Sequence, residues 1–308
     1  MIIKKNNLRV VITGASGFIG RPLSLKLADL GYEVLAISRV VPTWSEKSKI
    51  FWLEADLSSP LSYQKKIKSF RPEVVIHLAW QDIPDFSFEK SVINLSQSLE
   101  FLNFVIGIES CKKILISGSC WEYGRVKGEC LETDLALPKD HFTWAKNALY
   151  SWLHIICKQK DIQLLWMRIF YAYGPGQRLE SLIPSILTNL KQGKLPELRT
   201  PKNANDFIYV DDIVNAFSQA VVVNNSSMIY NLGSGVSSSA VEVCRIAENI
   251  ILGTETLTQE IDIRSKSTIC DVDFWADFTQ SKRYLDWQPT TSLVDGIYKT
   301  WQWLNYSE

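Results

Sequence analysis

The sequence is poor in the residues that build metal centres and covalent frameworks. It holds three histidines, and its six cysteines (Cys111, Cys120, Cys130, Cys157, Cys244 and Cys270) are scattered without a Cys-x-x-Cys pair. Neither a zinc site nor a disulfide scaffold is expected, and the metal expectation is none. Excess charge is missing too: 33 basic residues balance 33 acidic ones, with no basic stripe or polyanionic tail. Nucleic acid and membrane surfaces therefore lack an electrostatic argument. No apolar run approaches the ~20 residues needed to span a bilayer, and residues 1–5 lead into a strand rather than a cleavable signal. A soluble cytoplasmic protein is the expectation. Internal repeats and low-complexity tracts are absent, and the polar connections at 42–49 and 202–205 read as loops.

What the chain has in quantity is length and aromatics. Its 308 residues suit an open α/β sheet with a small lobe attached, and most of its eleven tryptophans and eleven tyrosines should serve packing. The organising stretch is Val10-Val11-Ile12-Thr13-Gly14-Ala15-Ser16-Gly17-Phe18-Ile19-Gly20. A β-type run enters glycines spaced by three, and Ile19, Leu23, Leu27 and Leu30 then recur at helical spacing. In a strand, tight turn and helix of this kind the glycines let the backbone approach a pyrophosphate, which sits on the free N–H groups of the helix. A glycine triplet alone is a weak signal; the strand before it and the amphipathic helix after it make a dinucleotide site the expectation. The cofactor residues of the turn are Gly14, Ser16, Gly17, Phe18 and Ile19.

The next strand, 34–37, is apolar enough to be buried on both faces. NAD-preferring sites place a carboxylate at its end, about 20 residues beyond the glycines, to hold the ribose 2′-hydroxyl. Here that position holds Ser38 followed by Arg39, a hydroxyl and a guanidinium suited to a 2′-phosphate. The expected cofactor is NADP(H).

Thr-Gly-x-x-Gly-x-x-Gly at this place resembles the extended short-chain dehydrogenase/reductases: the nucleotide-sugar epimerases, dehydratases and ketoreductases. The likeness runs along essentially the whole chain. A third strand at 50–53 leads to Asp56-Leu57, similar to the family's adenine-contacting pair, and a helix is expected at about 61–69. The strand at 74–80 ends in a segment resembling the His-Leu-Ala signature, with Leu78, Ala79 and Trp80 beside the cofactor, Trp80 facing the substrate, and His77 as packing. Residues 86–107 form an amphipathic helix with Val92, Leu95, Leu99, Leu102 and Ile106 on one side; Phe101 and Val105 widen its apolar arc. The resemblance implies a homodimer in which this helix and the one at about 141–158 pair across a two-fold axis.

The fifth strand runs into Ser117-Gly118-Ser119-Cys120-Trp121-Glu122-Tyr123-Gly124, similar to the family's Ser-Ser/Thr-x-x-x-Tyr-Gly, which puts the catalytic hydroxyl on Ser119. The family's 4,6-dehydratases follow that hydroxyl with Asp-Glu; Cys120-Trp121 here argues against dehydration, with Glu122 left near the substrate. The family's Tyr-x-x-x-Lys is met by Lys146 but not by the tyrosine, whose position holds Phe142. Phenylalanine has no proton to give, and general acid/base groups contribute typically ~10²- to 10⁴-fold. Three explanations compete: a Tyr→Phe replacement that traps a bound complex; another proton carrier among His141, Tyr123 and Glu122; or cofactor binding without turnover.

Farther on, 170–176 resembles Arg-x-Phe-Asn-x-Tyr-Gly-Pro with Tyr171 in the asparagine's place, and 205–212 resembles Arg-Asp-Phe-x-Tyr-Val-Asp-Asp with Asn205 for the arginine. Asp211 or Asp212 is placed to cap the helix that follows. Segments similar to the family's at 230–235 and 281–289 precede a last helix at about 292–304. Arg178, Arg199 and Lys202 lie in segments that in the family face the pyrophosphate. The resemblance implies a Rossmann-type doubly wound parallel sheet with a smaller C-terminal substrate lobe. Residues 1–168, rejoined by 206–235, would bind cofactor; 169–205 and 236–308 would hold the nucleotide sugar, with Trp80, Cys120, Trp121, Glu122, Tyr171, Arg178 and Arg199 toward it. The expected reaction is NADPH-dependent reduction of a nucleoside-diphosphate-linked 4-keto-6-deoxy sugar. The alternatives are an NAD-dependent nucleotide-sugar epimerase, a non-catalytic NADP(H)-binding protein, and a dehydrogenase of small alcohols or aldehydes.

Overall fold

The computed structural model describes residues 8–42, 48–224, 228–264 and 270–306. Residues 1–5 and most of the loop expected at 42–49 lie outside them. The first half of the chain alternates β1 (Arg9–Thr13), α1 (Gly20–Asp29), β2 (Glu33–Ser38), β3 (Ile50–Glu54), α2 (Gln64–Phe70), β4 (Val74–His77), α3 (Phe88–Ile106), β5 (Lys113–Ser119), β6 (Lys127–Cys130) and α4 (His141–Gln159). The second half continues with β7 (Gln163–Ile169), β8 (Tyr171–Tyr173), α5 (Leu182–Lys191), β9 (Ala204–Tyr209), α6 (Val210–Val222), β10 (Met228–Leu232) and β11 (Ser237–Ser239). It ends in α7 (Ala240–Leu252), α8 (Thr256–Arg264), β12 (Asp273–Ala276), α9 (Thr279–Leu285) and α10 (Leu293–Tyr306).

Seven strands form one parallel sheet in the order β10-β7-β5-β4-β1-β2-β3. Alternate side chains of each strand leave on opposite faces, and both faces are covered, which is why β1 and β2 read as nearly unbroken apolar runs. Val10 and Ile12 enter a core with Leu23 and Leu27 of α1 and Phe217 of α6. Val11 points the other way, into a core with Ile67 of α2, Phe101 and Val105 of α3, and Leu149 and Leu153 of α4. This is the Rossmann-type doubly wound sheet expected from the sequence. Because β1 lies between β4 and β2, the chain reverses its direction of travel there, and the carboxyl ends of β1 and β4 open the crevice in which such sheets hold ligands. No helix among the described residues is long and apolar enough to cross a membrane.

A second sheet, β11-β9-β12-β6 with β8 beside β9, belongs to the lobe. A third core gathers α5, α7 and α10 through Ile186, Leu187, Val243 and Ile297. Sheet membership cuts across the segment limits read from sequence. β6 falls within 1–168 and β9 begins within 169–205, continuing into 206–235, yet both pair in this second sheet. Their short, mixed patterns carry no periodicity that would reveal which sheet they join.

Other local differences have plain causes. The helix expected at 61–69 is a 3-10 turn at Pro60–Ser62 followed by α2, which stops at Arg71 in a left-handed conformation ahead of Pro72. Leu30 caps α1 and is exposed. On α3 the buried residues are Ser91, Asn94, Ser98, Phe101, Leu102, Val105 and Ile106, while Val92 is exposed. The polar part of this set lies beside the crevice: Asn94 accepts from Gln81 N–H at 2.8 Å and Ser98 meets His77 at 3.0 Å. Neither Asp211 nor Asp212 caps α6, whose cap position is Tyr209. Asp212 instead accepts Thr290 N–H at 3.1 Å, Thr290 Oγ1 at 2.7 Å and Thr291 N–H at 3.0 Å, fastening the approach to α10.

The tightest constraint is where α1 starts. A Cβ on Gly20 would stand 2.1 Å from the Gly14 carbonyl oxygen. Gly20→Ala should therefore lower stability by at least the ~1–3 kcal/mol usual for overpacking. Urea unfolding checks this; an unchanged midpoint contradicts it.

Candidate active site

The crevice is a cleft of about 730 Å³ at the carboxyl ends of β1, β2, β4 and β5. Its floor is the glycine turn. Gly14 has φ +68°, where a side chain is strained, and a Cβ there would sit 3.0 Å from Ala79 N. The turn closes with Gly17 N–H donating to Gly14 O at 3.0 Å. α1 then begins with neither a side-chain cap nor an acidic residue in its first turn. Arg21 N–H is taken by Gly17 O at 2.9 Å and Pro22 has none, so what α1 offers an anion is chiefly its positive dipole end, as a pyrophosphate cradle requires. Gly14, Ser16, Gly17, Phe18 and Ile19 all line the cleft.

At the end of β2, Ser38 and Ser16 share a hydrogen bond of 2.6 Å, and Arg39 is an exposed part of the cleft lining. Asp56, after β3, also lines it and accepts Ser58 N–H at 2.8 Å. Hydrogen bonding from the Ser58 side chain first and its backbone N–H second, with a lesser pull from the Arg39 charge, holds the Asp56 carboxyl below its ordinary range. The end of β2 thus offers a hydroxyl pair and a guanidinium and no carboxylate of its own. Leu57, Leu78, Ala79 and Trp80 complete this part of the wall.

β5 delivers Ser119. The chain enters a 3-10 turn, Cys120–Tyr123, closed by a reciprocal cap. Ser119 Oγ accepts Trp121 N–H at 3.2 Å, while Glu122 Oε1 accepts Ser119 N–H at 2.7 Å. Glu122 is 1% exposed and also accepts Trp166 Nε1–H at 2.9 Å and Arg168 Nε–H at 3.1 Å. A turn of three residues per revolution sends successive side chains in different directions, so only Ser119 stays on the cleft. The expectation that Cys120 and Glu122 face a substrate is corrected by this geometry, while Trp121 remains exposed. Cys120 is buried in the sheet core, and Glu122 is spent inside the protein. Trp121 leans on Tyr171 at 6.1 Å and Phe274 at 6.0 Å, and neither Trp121 nor Tyr171 lines the cleft.

α4 carries the remaining pair. Asp140 caps it, accepting Thr143 N–H at 2.7 Å, which fixes the first turn. Phe142 and Lys146, four apart, share the face that looks into the cleft. Lys146 Nζ donates to Ser117 O at 2.8 Å and stands 4.1 Å above the Trp80 ring. Burial pulls its ammonium down to about 8, partly offset by the charge of Glu122. Phe142 is boxed by Phe86 at 4.8 Å and Trp80 at 5.4 Å between ring centres. The other proton carriers weighed from sequence are not brought here. Glu122 is internal, the Tyr123 hydroxyl is buried and donates to Asn231 at 2.7 Å, and His141 packs on Phe88, with none of them lining the cleft.

Arg178 lines the cleft and donates to the Ile83 carbonyl. Arg199 is exposed, and neither it nor Lys202 lines the cleft. Sequence reasoning missed Thr13, Gln81, Asn94, Gln97, Ser98 and Gln177, which do. Small polar residues at 91, 94 and 98, one turn apart on a helix otherwise apolar on that side, were the available signal. His77 is packed as expected, between Thr13 Oγ1 at 2.8 Å and Ser98 Oγ at 3.0 Å.

Residues 10–233 match the NAD dependent epimerase/dehydratase family profile. The chain is 27% identical to a dTDP-4-dehydro-6-deoxyglucose reductase of Escherichia coli, covering 97% of this chain and 98% of the relative. It is 24% identical to a UDP-glucose 4-epimerase of Mycolicibacterium smegmatis, covering 95% and 97%. Among solved structures, UDP-glucose 4-epimerase of Thermotoga maritima with UDP-glucose superposes with TM-score 0.84 at 22% identity, over 97% of this chain and 99% of that one. A Tyr-to-Phe mutant of Bacillus cereus UDP-glucuronic acid 4-epimerase, solved with a fluorinated UDP-glucuronic acid and NAD, gives 0.83 at 22%, over 98% and 100%. At that identity the two structures show the shared fold.

Burial, followed by the nearby Lys146 charge, holds the His77 imidazole down to about 3 from 6.5. Below the unfolded value the unfolded chain binds the extra proton, so this contribution is complete above about pH 6.5 and is lost as pH falls toward 3. Urea midpoints measured from pH 7 to 4 should fall, and more shallowly in His77→Gln. Parallel slopes in the two proteins contradict the assignment.

Proposed function

This chain belongs to the NAD dependent epimerase/dehydratase family, and from that premise we propose that it reduces a 4-keto-6-deoxy sugar carried on a nucleoside diphosphate, with NADPH as the reductant. The observation that carries the reading is the end of β2, where Ser38 and Arg39 stand in the cleft in place of a ribose-binding carboxylate. An epimerase recycles a retained cofactor, whereas a reductase consumes one, and a 2′-phosphate site suits the second. Likeness to a dTDP-4-dehydro-6-deoxyglucose reductase along nearly the full length of both chains supports the same choice.

The glycine turn would take the pyrophosphate, Arg39 with Ser38 the 2′-phosphate, and Trp80 and Lys146 the nicotinamide end. Bound NADPH supplies the hydride. Ser119 is assigned to the carbonyl oxygen: its Oγ already accepts Trp121 N–H, which leaves its own O–H free to donate toward developing negative charge. Glu122, pinned by Arg168 and Trp166, holds the Ser119 backbone in register for that task. The specific observation behind a second reading, a non-catalytic NADP(H) binder, is Phe142, whose apolar box contains no hydroxyl.

Two expected outcomes test this. Calorimetry should give tighter binding of NADPH than NADH, and Ser38→Asp with Arg39→Ala should erase the preference. Loss of a charge-assisted hydrogen bond of ~1.5–3 kcal/mol corresponds to roughly ten- to a hundredfold. Tighter binding of NADH by the parent chain contradicts the reading. We further assign a homodimer to α3 and α4, which leave Phe88, Ile93, Trp144 and Ile155 exposed. Light scattering should return twice the chain mass, falling to one chain in Trp144→Glu; a monomeric parent protein contradicts the assignment.

A further inference from the structure

With no phenol at position 142, the proton that must reach the sugar oxygen needs another source. The described ionisable residues lining the cleft are Arg39, Asp56, Asp82, Lys146 and Arg178. Arginine does not surrender a proton at usable pH. Asp82 is ion-paired with Lys90 at 2.6 Å, and Asp56 is engaged by Ser58 at the far end, beside Arg39. Lys146 differs from all of these. It is 4% exposed, and among the described residues its hydrogen bond is to Ser117 O, with the Trp80 ring below its charge. An ammonium has three donors, so two remain for the cleft. The carbonyl that anchors it belongs to Ser117, two residues before the hydroxyl-bearing Ser119 on β5, and Ser117, Ser119 and Lys146 all line the same cleft.

We propose that Lys146 is the proton donor of this enzyme, its ammonium replacing the missing phenol at the sugar oxygen that Ser119 hydrogen-bonds. The inference rests on the ketoreductase reading. The carbonyl carbon gains hydride from the dihydronicotinamide, which is oxidised. The π pair moves onto oxygen, and that oxygen takes H⁺ from Lys146. The resulting amine regains a proton from water, so atoms and electrons balance.

The groups facing Lys146 set its readiness to give up the proton. Glu122 from the 3-10 turn, paired with Arg168 of β7, favours the charged form; burial opposes it more strongly, and His77 of β4 is held neutral. On α4 itself the neighbouring Phe142 carries no charge. The result is an amine near 8 in a corner lined by the Trp80 and Phe142 rings.

The test joins kinetics to a direct titration. On cofactor-free protein, reductive ¹³C-methylation followed by NMR should show the Lys146 amine titrating near 8. kcat for keto-sugar reduction should hold at low pH and fall about tenfold per unit above that value, as loss of a general acid requires. Lys146→Arg keeps the charge but cannot release the proton. It and Lys146→Met should lose about 10²- to 10⁴-fold in kcat with a smaller change in NADPH affinity. A cooperative urea transition shows that the variants are folded. Near-parental kcat in Lys146→Arg, or an amine titrating at its ordinary ~10.4, overturns the proposal. An idle parent chain with an active Phe142→Tyr overturns the proton donor and leaves the ketoreductase reading standing. If neither turns over any dTDP-, CDP-, GDP- or UDP-linked keto-sugar, the ketoreductase reading falls and takes the proposal with it.

Discussion

The contact of α1 with the turn that follows β1 constrains everything built around it. A helix can start there only because Gly20 has no Cβ to meet the Gly14 carbonyl, and Gly14 can lie against Ala79 only because it too is bare. The close approach aims the positive end of α1 across the carboxyl edge of the sheet. β2, β4 and β5 end along the same edge because they are parallel to β1 or to its neighbours. Arg39, Trp80 and Ser119 therefore arrive at one cleft from three separate strand ends, and α4 closes it with Phe142 and Lys146.

The second support is a buried polar knot under β5. Glu122 lies far in sequence from Trp166 and Arg168, yet both donate to its carboxylate at hydrogen-bond distance. A buried ion pair gains little net stability, because desolvation offsets the attraction. Its consequence here is positional: one carboxylate oxygen holds the Ser119 backbone, and the other anchors the neighbouring strand. Removing Glu122 would leave the Arg168 charge buried alone, a larger disturbance than the loss of one hydrogen bond.

The parts legible in the sequence are those fixed by short spacing. The glycine turn, Ser38-Arg39, Ser119 and the pair Phe142 and Lys146 each lie within one strand end or one helical turn, and all reach the cleft. Residues whose roles depend on distant partners were not legible. Asp212 reads as a helix cap, but its partner Thr290 lies 78 positions away. Glu122 reads as a substrate contact because strand spacing does not tell which way a 3-10 turn rotates its side chains. The apolar stripe assigned to α3 missed its polar buried face, since burial beside a cleft calls for Asn94 and Ser98 rather than leucine.

The reaction proposed for this chain is net hydride transfer from NADPH to the 4-position of a nucleotide-linked sugar. Its most direct measurement uses NADPH deuterated at nicotinamide C4, with a nucleoside-diphosphate 4-keto-6-deoxy sugar and NMR of the product. The account predicts one deuterium on sugar C4 for each NADPH oxidised. Interconversion of two sugars with no deuterium gained and no NADPH consumed would contradict it.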